Sequence, residues 1–182
     1  MLLACSALIS ACERNEELDT ALRLLDLAQQ AGHLAPLETY ARLIEHCGRR
    51  QNCERALELF LGLQMAGGEA TRPVVLAMLA ALEACTRARQ AAQLLQSYQE
   101  AGNVADTAVV AAVLRVYAKA GSWQRAVGLW QERSRVAGSK PDAAHAQLVL
   151  EACTRGNNRA KAAELQEVFR SEGILTDSPA DR

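Results

Sequence analysis

Six cysteines and three histidines are the side chains of this 182-residue chain best suited to metal binding or nucleophilic chemistry. Their spacing argues against both. No two cysteines form the C-x-x-C pair that structural zinc sites use. His46 and Cys47 are adjacent, with Cys53 nearby, but neighbours on a helix point about 100° apart. No acidic partner recurs at a spacing that would activate a nucleophile. His33 and His145 fall at junctions between elements and read as solvated. A glycine-rich phosphate loop, a serine elbow and paired carboxylates are all missing. The expectation is a protein that is not an enzyme and uses no metal, cofactor or small-molecule substrate. Cys12, Cys47 and Cys153 share one register on a buried face, whereas Cys5, Cys53 and Cys85 are scattered. Equivalent positions in neighbouring units should lie about 10 Å apart, too far for a disulfide, so all six are expected to be reduced thiols.

The elements that must carry these residues show themselves through repetition. Alanine recurs at Ala21, Ala56, Ala91, Ala126 and Ala162, with successive spacings of 35, 35, 35 and 36 residues. A glycine column at Gly32, Gly67, Gly102, Gly138 and Gly173 keeps step, with spacings of 35, 35, 36 and 35. Self-similarity at such a period marks supersecondary units that bury their apolar faces only against their neighbours. Within one unit, Tyr40, Leu43, Ile44 and Cys47 form one helical stripe, ended by Gly48 and Arg49-Arg50-Gln51-Asn52. Ala56, Leu59, Phe60 and Leu63 form a second, stopped by Gly67-Gly68. The stripe recurs as Leu8, Leu43, Met78, Val113 and Val149, then as Ile9, Ile44, Leu79, Leu114 and Leu150. On the second helix it runs Leu24, Leu59, Leu94, Leu129 and Leu165. The small alanine should lie where the two helices cross.

The expected fold is therefore all-α, a right-handed α-solenoid of five tandem helix-turn-helix repeats of about 35 residues. Their bounds are 2–36, 37–71, 72–106, 107–142 and 143–177, making a single domain over 2–177 with a tail at 178–182. Pro36, Pro73 and Pro141 fall between hairpins, where proline is tolerated. Composition agrees, with 50% hydrophobic but only 4% aromatic residues, as Ala- and Leu-rich helices require. A formal net charge of −1 exerts no overall pull on nucleic acid or anionic membrane, so any such binding must come from local charge. Arg, Glu or Gln interrupts every apolar stripe, so direct membrane insertion is not expected. Trp130 occupies a core column, whereas Trp123 opens its helix and is a candidate anchor for a protein partner.

Three stretches carry a specific resemblance. They are Thr39-Tyr40-x-x-Leu43-Ile44 with Ala56-Leu57-Glu58-Leu59-Phe60 and Gly67, then Ser6 to Cys12 with Ala21-Leu22-Arg23-Leu24-Leu25, and Val116 to Trp123. Over residues 2 to 177 the chain resembles the pentatricopeptide repeat family. The tetratricopeptide family is the nearest rival. Its period is about 34, and its glycine in the middle of the first helix is replaced here by Ile9, Ile44, Leu79, Leu114 and Leu150.

The resemblance implies single-stranded RNA binding in a mitochondrion or chloroplast, one base per repeat, read by two or three side chains. The paired code positions it assigns are Ser6 with Pro36, Ala41 with Thr71, Leu76 with Asp106, Ala111 with Asp142, and Gln147 with Asp177. None is a familiar pair, and Ala41, Leu76 and Ala111 have no group that hydrogen-bonds a base edge. The base-clamping position holds Leu3, Glu38, Pro73, Ala108 and Ala144, and Glu38 would repel phosphates. Around it the inner face carries Glu13, Glu38, Glu45, Glu83 and Glu151 against Arg115, the wrong sign for a nucleic-acid groove. One column has the right sign. Arg14, Arg49, Lys119 and Arg155 stand at the end of the first helix, where the family's lysine resembles a phosphate contact. Cations there are also favoured by the helix dipole without any ligand. Two functions follow: a module contacting RNA, single-stranded or ribosomal, through its backbone rather than a base code, or a protein scaffold in an organellar ribosome or membrane supercomplex. No targeting segment is visible before Leu2 and no capping helix after Gly173, so the expectation is either a processed or partial product of a longer chain or protein partners at the uncapped ends, with the isolated chain self-associating.

Overall fold

The computed structural model describes residues 18–30, 32–33, 35–135 and 142–175. Among them are nine helices of 13 residues each and no strand. They are α1 (Leu18–Gln30), α2 (Leu37–Arg49), α3 (Cys53–Met65), α4 (Arg72–Ala84), α5 (Ala88–Glu100), α6 (Thr107–Lys119), α7 (Trp123–Arg135), α8 (Ala143–Arg155) and α9 (Arg159–Ser171). The helices group into two compact units, Met1–Cys85 and Thr86–Arg182.

In the first unit α2 packs along α4, and Tyr40, Leu43, Ile44, Leu63, Met78, Leu79 and Leu82 are shut away from water. Each such side chain contributes about 1.5–3 kcal/mol relative to exposure. The stop at Gly67-Gly68 is a Schellman turn. The Gly68 N–H donates to the Leu63 carbonyl at 2.9 Å and the Gly67 N–H to that of Gln64 at 3.0 Å. Gly67 takes φ +78°, the left-handed conformation that glycine adopts without steric cost. Gly48 does something else. It is not past the helix end but inside α2, and a Cβ built there would sit 2.6 Å from Ala81 Cα and 2.8 Å from Ala81 Cβ. The glycine is there because α2 and α4 touch backbone to backbone. Pro73 likewise lies inside a helix, in the first turn of α4, where its missing N–H has no intrahelical partner to lose.

That close approach also overturns the expectation for two of the cysteines. Cys53 opens α3, immediately after the turn that ends α2, and Cys85 is the C-cap of α4. Because α4 ends beside the end of α2, it also ends beside the start of α3. Cys53 and Cys85 form a disulfide, with Cα atoms 6.3 Å apart and a sequence separation of 32. The 10 Å spacing holds for equivalent positions in adjacent repeats. These two are not equivalent, and an offset of 32 rather than 35 residues brings them together. Cys47 and Cys153 are buried free thiols, as their register requires.

In the second unit α6 packs against α8, and the ring of Trp130 in α7 lies 4.8 Å from that of Phe169 in α9. Trp130 is core, as its column indicates. His145 is not solvated, contrary to expectation. The start of α8 lies beside the start of α6, which buries the imidazole and sets its Nε2 3.2 Å from the Thr107 carbonyl oxygen. Ala21, Ala56, Ala91 and Ala126 are all fully buried, and Ala162 in the last hairpin is half-buried.

Candidate nucleic-acid interface

A helix ending in a cation with a carboxylate one turn earlier neutralises itself, since Glu and Arg at i, i+4 face each other. Two members of the basic column do this. Arg49 ends α2 with its Nη1 3.6 Å from Glu45 Oε1, and Arg155 ends α8 with its Nη2 2.8 Å from Glu151 Oε1. Both arginine side chains stay more than half exposed, at 66% and 52%. Lys119 ends α6, is exposed, and has the cation Arg115 rather than a carboxylate at i−4. The packing of α6 on α8 brings Lys119 and Arg155 to one end of the second unit, while Arg49 belongs to the first. Arg14 lies outside the described residues.

The acidic tally of the inner face shrinks for the same reason. Glu45 and Glu151 are held by Arg49 and Arg155, and Glu38 accepts a 2.6 Å hydrogen bond from Arg42. Glu83 is half-buried. Glu13 is outside the described residues.

The last position of each described code pair sits where a helix begins. Asp106 is the N-cap of α6, accepting from the Val109 N–H at 2.9 Å, and Asp142 is that of α8, accepting from Ala144 N–H at 3.1 Å. Such a bond satisfies one of the orphan donors of a first turn and stabilises the helix by about 1 kcal/mol. Thr71 and Pro36 hold the same station before α4 and α2 without a side-chain cap. Their partners Ala41, Leu76 and Ala111 are half-buried, and Gln147 is exposed. Ser6 and Asp177 are outside the described residues. Trp123 is half-buried, its Cδ1 2.7 Å from where a Cβ on Gly156 would be, so the ring rests on the turn of the next hairpin.

Ionisation in the interior is suppressed. Burial pushes the Cys47 and Cys153 thiols up from the ordinary range, with Arg55 and Lys161 respectively opposing it. Burial also raises the Tyr117 phenol. Thiols held neutral are poor nucleophiles and poor ligands, and no group of three or more metal-ligating side chains occurs among the described residues.

The comparisons with known proteins bear on this geometry. The sequence profile of the family described as pentatricopeptide repeat-containing protein matches residues 4–133. The chain belongs to the pentatricopeptide repeat family. Among solved structures, its fold matches a triple cysteine-to-serine variant of maize PPR10 in complex with an 18-nucleotide psaJ RNA element, with TM-score 0.80 and 18% identity over 97% of the chain and 26% of PPR10. A second PPR10–RNA complex matches with TM-score 0.72 and 20% identity over the same shares. The nuclear proteinaceous RNase P 2 of A. thaliana matches with TM-score 0.71 and 15% identity, over 93% of the chain and 38% of that protein. The pentatricopeptide chain thus spans between a quarter and two fifths of these proteins, and shares with them the all-α repeat-solenoid fold. No curated protein matches it.

One signal was missed by following the total charge. Residues 86–182 carry thirteen Lys and Arg against ten Asp and Glu, a net of +3. Residues 1–85 carry seven against eleven, a net of −4, and together they give the chain's −1. The cations are concentrated in one half, which a half-by-half count of the sequence reveals.

Proposed function

We propose that this pentatricopeptide repeat protein is a non-enzymatic interaction module of organellar gene expression that associates with RNA through the phosphate backbone rather than by reading bases. Family membership over residues 4–133 is the observation that carries it. The exposed ends of α2, α6 and α8, with Arg49, Lys119 and Arg155, supply cations for phosphate contact, and Arg14 extends the column by sequence register. The absence of polar side chains at Ala41, Leu76 and Ala111, and the commitment of Asp106 and Asp142 to helix caps, support backbone contact. The five repeats at 2–36, 37–71, 72–106, 107–142 and 143–177 act as one domain in this reading, and a mitochondrion or chloroplast is its location.

Binding to a random single-stranded RNA pool, titrated with salt, tests it. Four contacts give a fall in log K of at most about 3 per tenfold rise in salt, and replacement of the four cations by Gln should flatten that slope. No binding at low salt would refute it. The Glu45–Arg49 and Glu151–Arg155 pairs favour a second reading, a protein scaffold of an organellar ribosome or membrane supercomplex, because they give two of the cations a reason to exist without RNA. Native particles that keep their size in sedimentation after ribonuclease treatment would support that alternative.

A further inference from the structure

Cations belong at helix C-termini and are disfavoured at N-termini, where the dipole is already positive. The second unit breaks this rule in every one of its second helices. Arg87 is the N-cap of α5 and Arg89 its second residue; Arg125 is the third residue of α7; Arg159 and Lys161 are the first and third of α9. None of these first turns contains an acid. Lys161 is paired with Glu164 one turn on; the helix dipole gives no reason for Arg87, Arg89, Arg125 and Arg159, and a bound polyanion does.

The packing gathers these groups on one edge. Arg133, at the far end of α7, donates to the Ala105 carbonyl just before α6 at 3.3 Å. The two helices are therefore antiparallel, and Lys119 and Arg125 share an end. A Cβ on Gly121, in the turn between them, would lie 3.1 Å from the Arg155 backbone, so that turn abuts the α8–α9 turn bearing Arg159. The α5 helix packs on α6, with which it is joined by 101–106, and its start, with Arg87 and Arg89, lies toward the end of α6. Arg155 and Lys161 are occupied by Glu151 and Glu164. Arg87, Arg89, Lys119, Arg125 and Arg159 are exposed and make no salt bridge among the described residues.

We propose that this hairpin-turn edge, formed by Arg87, Arg89, Lys119, Arg125 and Arg159, is the main phosphate track of the protein, carrying a single-stranded RNA backbone along the turns of the second unit. It rests on the RNA reading above and relocates its contact, from the column of Arg14, Arg49, Lys119 and Arg155 to a set dominated by residues that begin second helices. Guanidinium groups suit the phosphate oxygens, which they grip bidentately. An acidic protein surface is a poorer fit. The large exposed apolar side chains of the second unit, Val104 and Val168, fall just before α6 and near the end of α9, at the other ends of those helices from this edge.

The test compares the full chain with the set Arg87→Gln, Arg89→Gln, Arg125→Gln and Arg159→Gln, using a labelled random single-stranded RNA pool. Affinity at low salt should fall at least about tenfold, and the slope of log K against log salt should flatten by up to about 3, at about 0.7 per lost contact. The melting temperature should hold or rise, because the dipole conflict is relieved. The matching set of Arg→Lys substitutions keeps the charge and should keep most of the slope; equal loss in both sets would overturn the proposal. Undiminished binding by the Gln set, with loss instead in Arg49→Gln/Arg155→Gln, would overturn this track while leaving RNA association standing. No binding by the unaltered chain would overturn both. Competition by polyglutamate or phosphatidylserine vesicles as strong as by RNA would overturn RNA as the occupant.

Discussion

Gly48→Ala should destabilise the protein although it replaces a poor helix former by the best. The intrinsic preference favours alanine by about 0.8–1.0 kcal/mol within a helix. Against it stands the new Cβ, 2.6 Å from Ala81 Cα and 2.8 Å from Ala81 Cβ, where ordinary contact begins near 3.4 Å. The obstacle is backbone, so no rotamer change relieves it, and α2 must move off α4 by most of an ångström. Overpacking of this kind costs about 1–3 kcal/mol, and with backbone on the other side the upper end applies. The net expectation is a loss of about 2 kcal/mol, or roughly 4–8 °C in melting temperature for a chain of this size. Gly128→Ala is the internal control, since that helical glycine has nothing within 4 Å of its Cβ position. There the helix preference acts alone, and thermal denaturation followed by circular dichroism should show a rise of about 2–4 °C. Adding Ala81→Gly to Gly48→Ala should recover less than half the loss, because the Ala81 Cα remains. A Gly48→Ala protein that melts with or above the unaltered chain would refute the close approach of α2 and α4.

Three other outcomes follow from the geometry. Reducing the Cys53–Cys85 bond, or making Cys85→Ser, should lower stability by up to about 3–4 kcal/mol from the 32-residue separation it closes, and peptide mapping without reductant should recover the two cysteines linked. With Cys5 and Cys12 replaced by Ser, the native chain should show no fast thiol titration at neutral pH, since Cys47 and Cys153 are buried and held protonated. Their raised folded pKa means that stability is intact below the ordinary thiol value of about 9.0 and declines as pH rises past it, which denaturant melts from pH 7 to 10 would reveal. Asp106→Ala and Asp142→Ala should each cost about 1 kcal/mol and leave RNA sequence preference unchanged; a shift in preferred bases would mean that the carboxylates read RNA after all.

The alanine column made the fold legible in the sequence because each unit repeats one constraint, a small side chain where two helices cross, and repetition multiplies a weak local signal. What stayed hidden are contacts that do not repeat. Gly48 and Gly67 read alike as helix stops, but Gly67 has positive φ and open space around it, whereas Gly48 is helical and faces Ala81. Telling them apart requires the neighbouring hairpin. The disulfide eluded a register comparison because Cys53 and Cys85 occupy different stations in their repeats. His145 was misplaced because the start of a helix counts as exposed until the helix beside it is known to begin at the same level.

The candidate site shows the same division from the other side. The last position of each code pair assigned by resemblance, at Pro36, Thr71, Asp106 and Asp142, is the N-cap station of a first helix, where the first-turn N–H groups need partners. Asp106 and Asp142 are therefore explained by folding alone, which weakens any inference from their presence to RNA. Arg87, Arg89, Arg125 and Arg159, at the starts of α5, α7 and α9, are in the opposite situation: the dipole would prefer acids there, so their presence is information that packing does not supply. A site is most visible where a residue is retained against the local electrostatics of the fold. By that criterion the second unit, with Arg87, Arg89, Arg125 and Arg159 exposed at the starts of its second helices, is where the RNA proposal is most open to test.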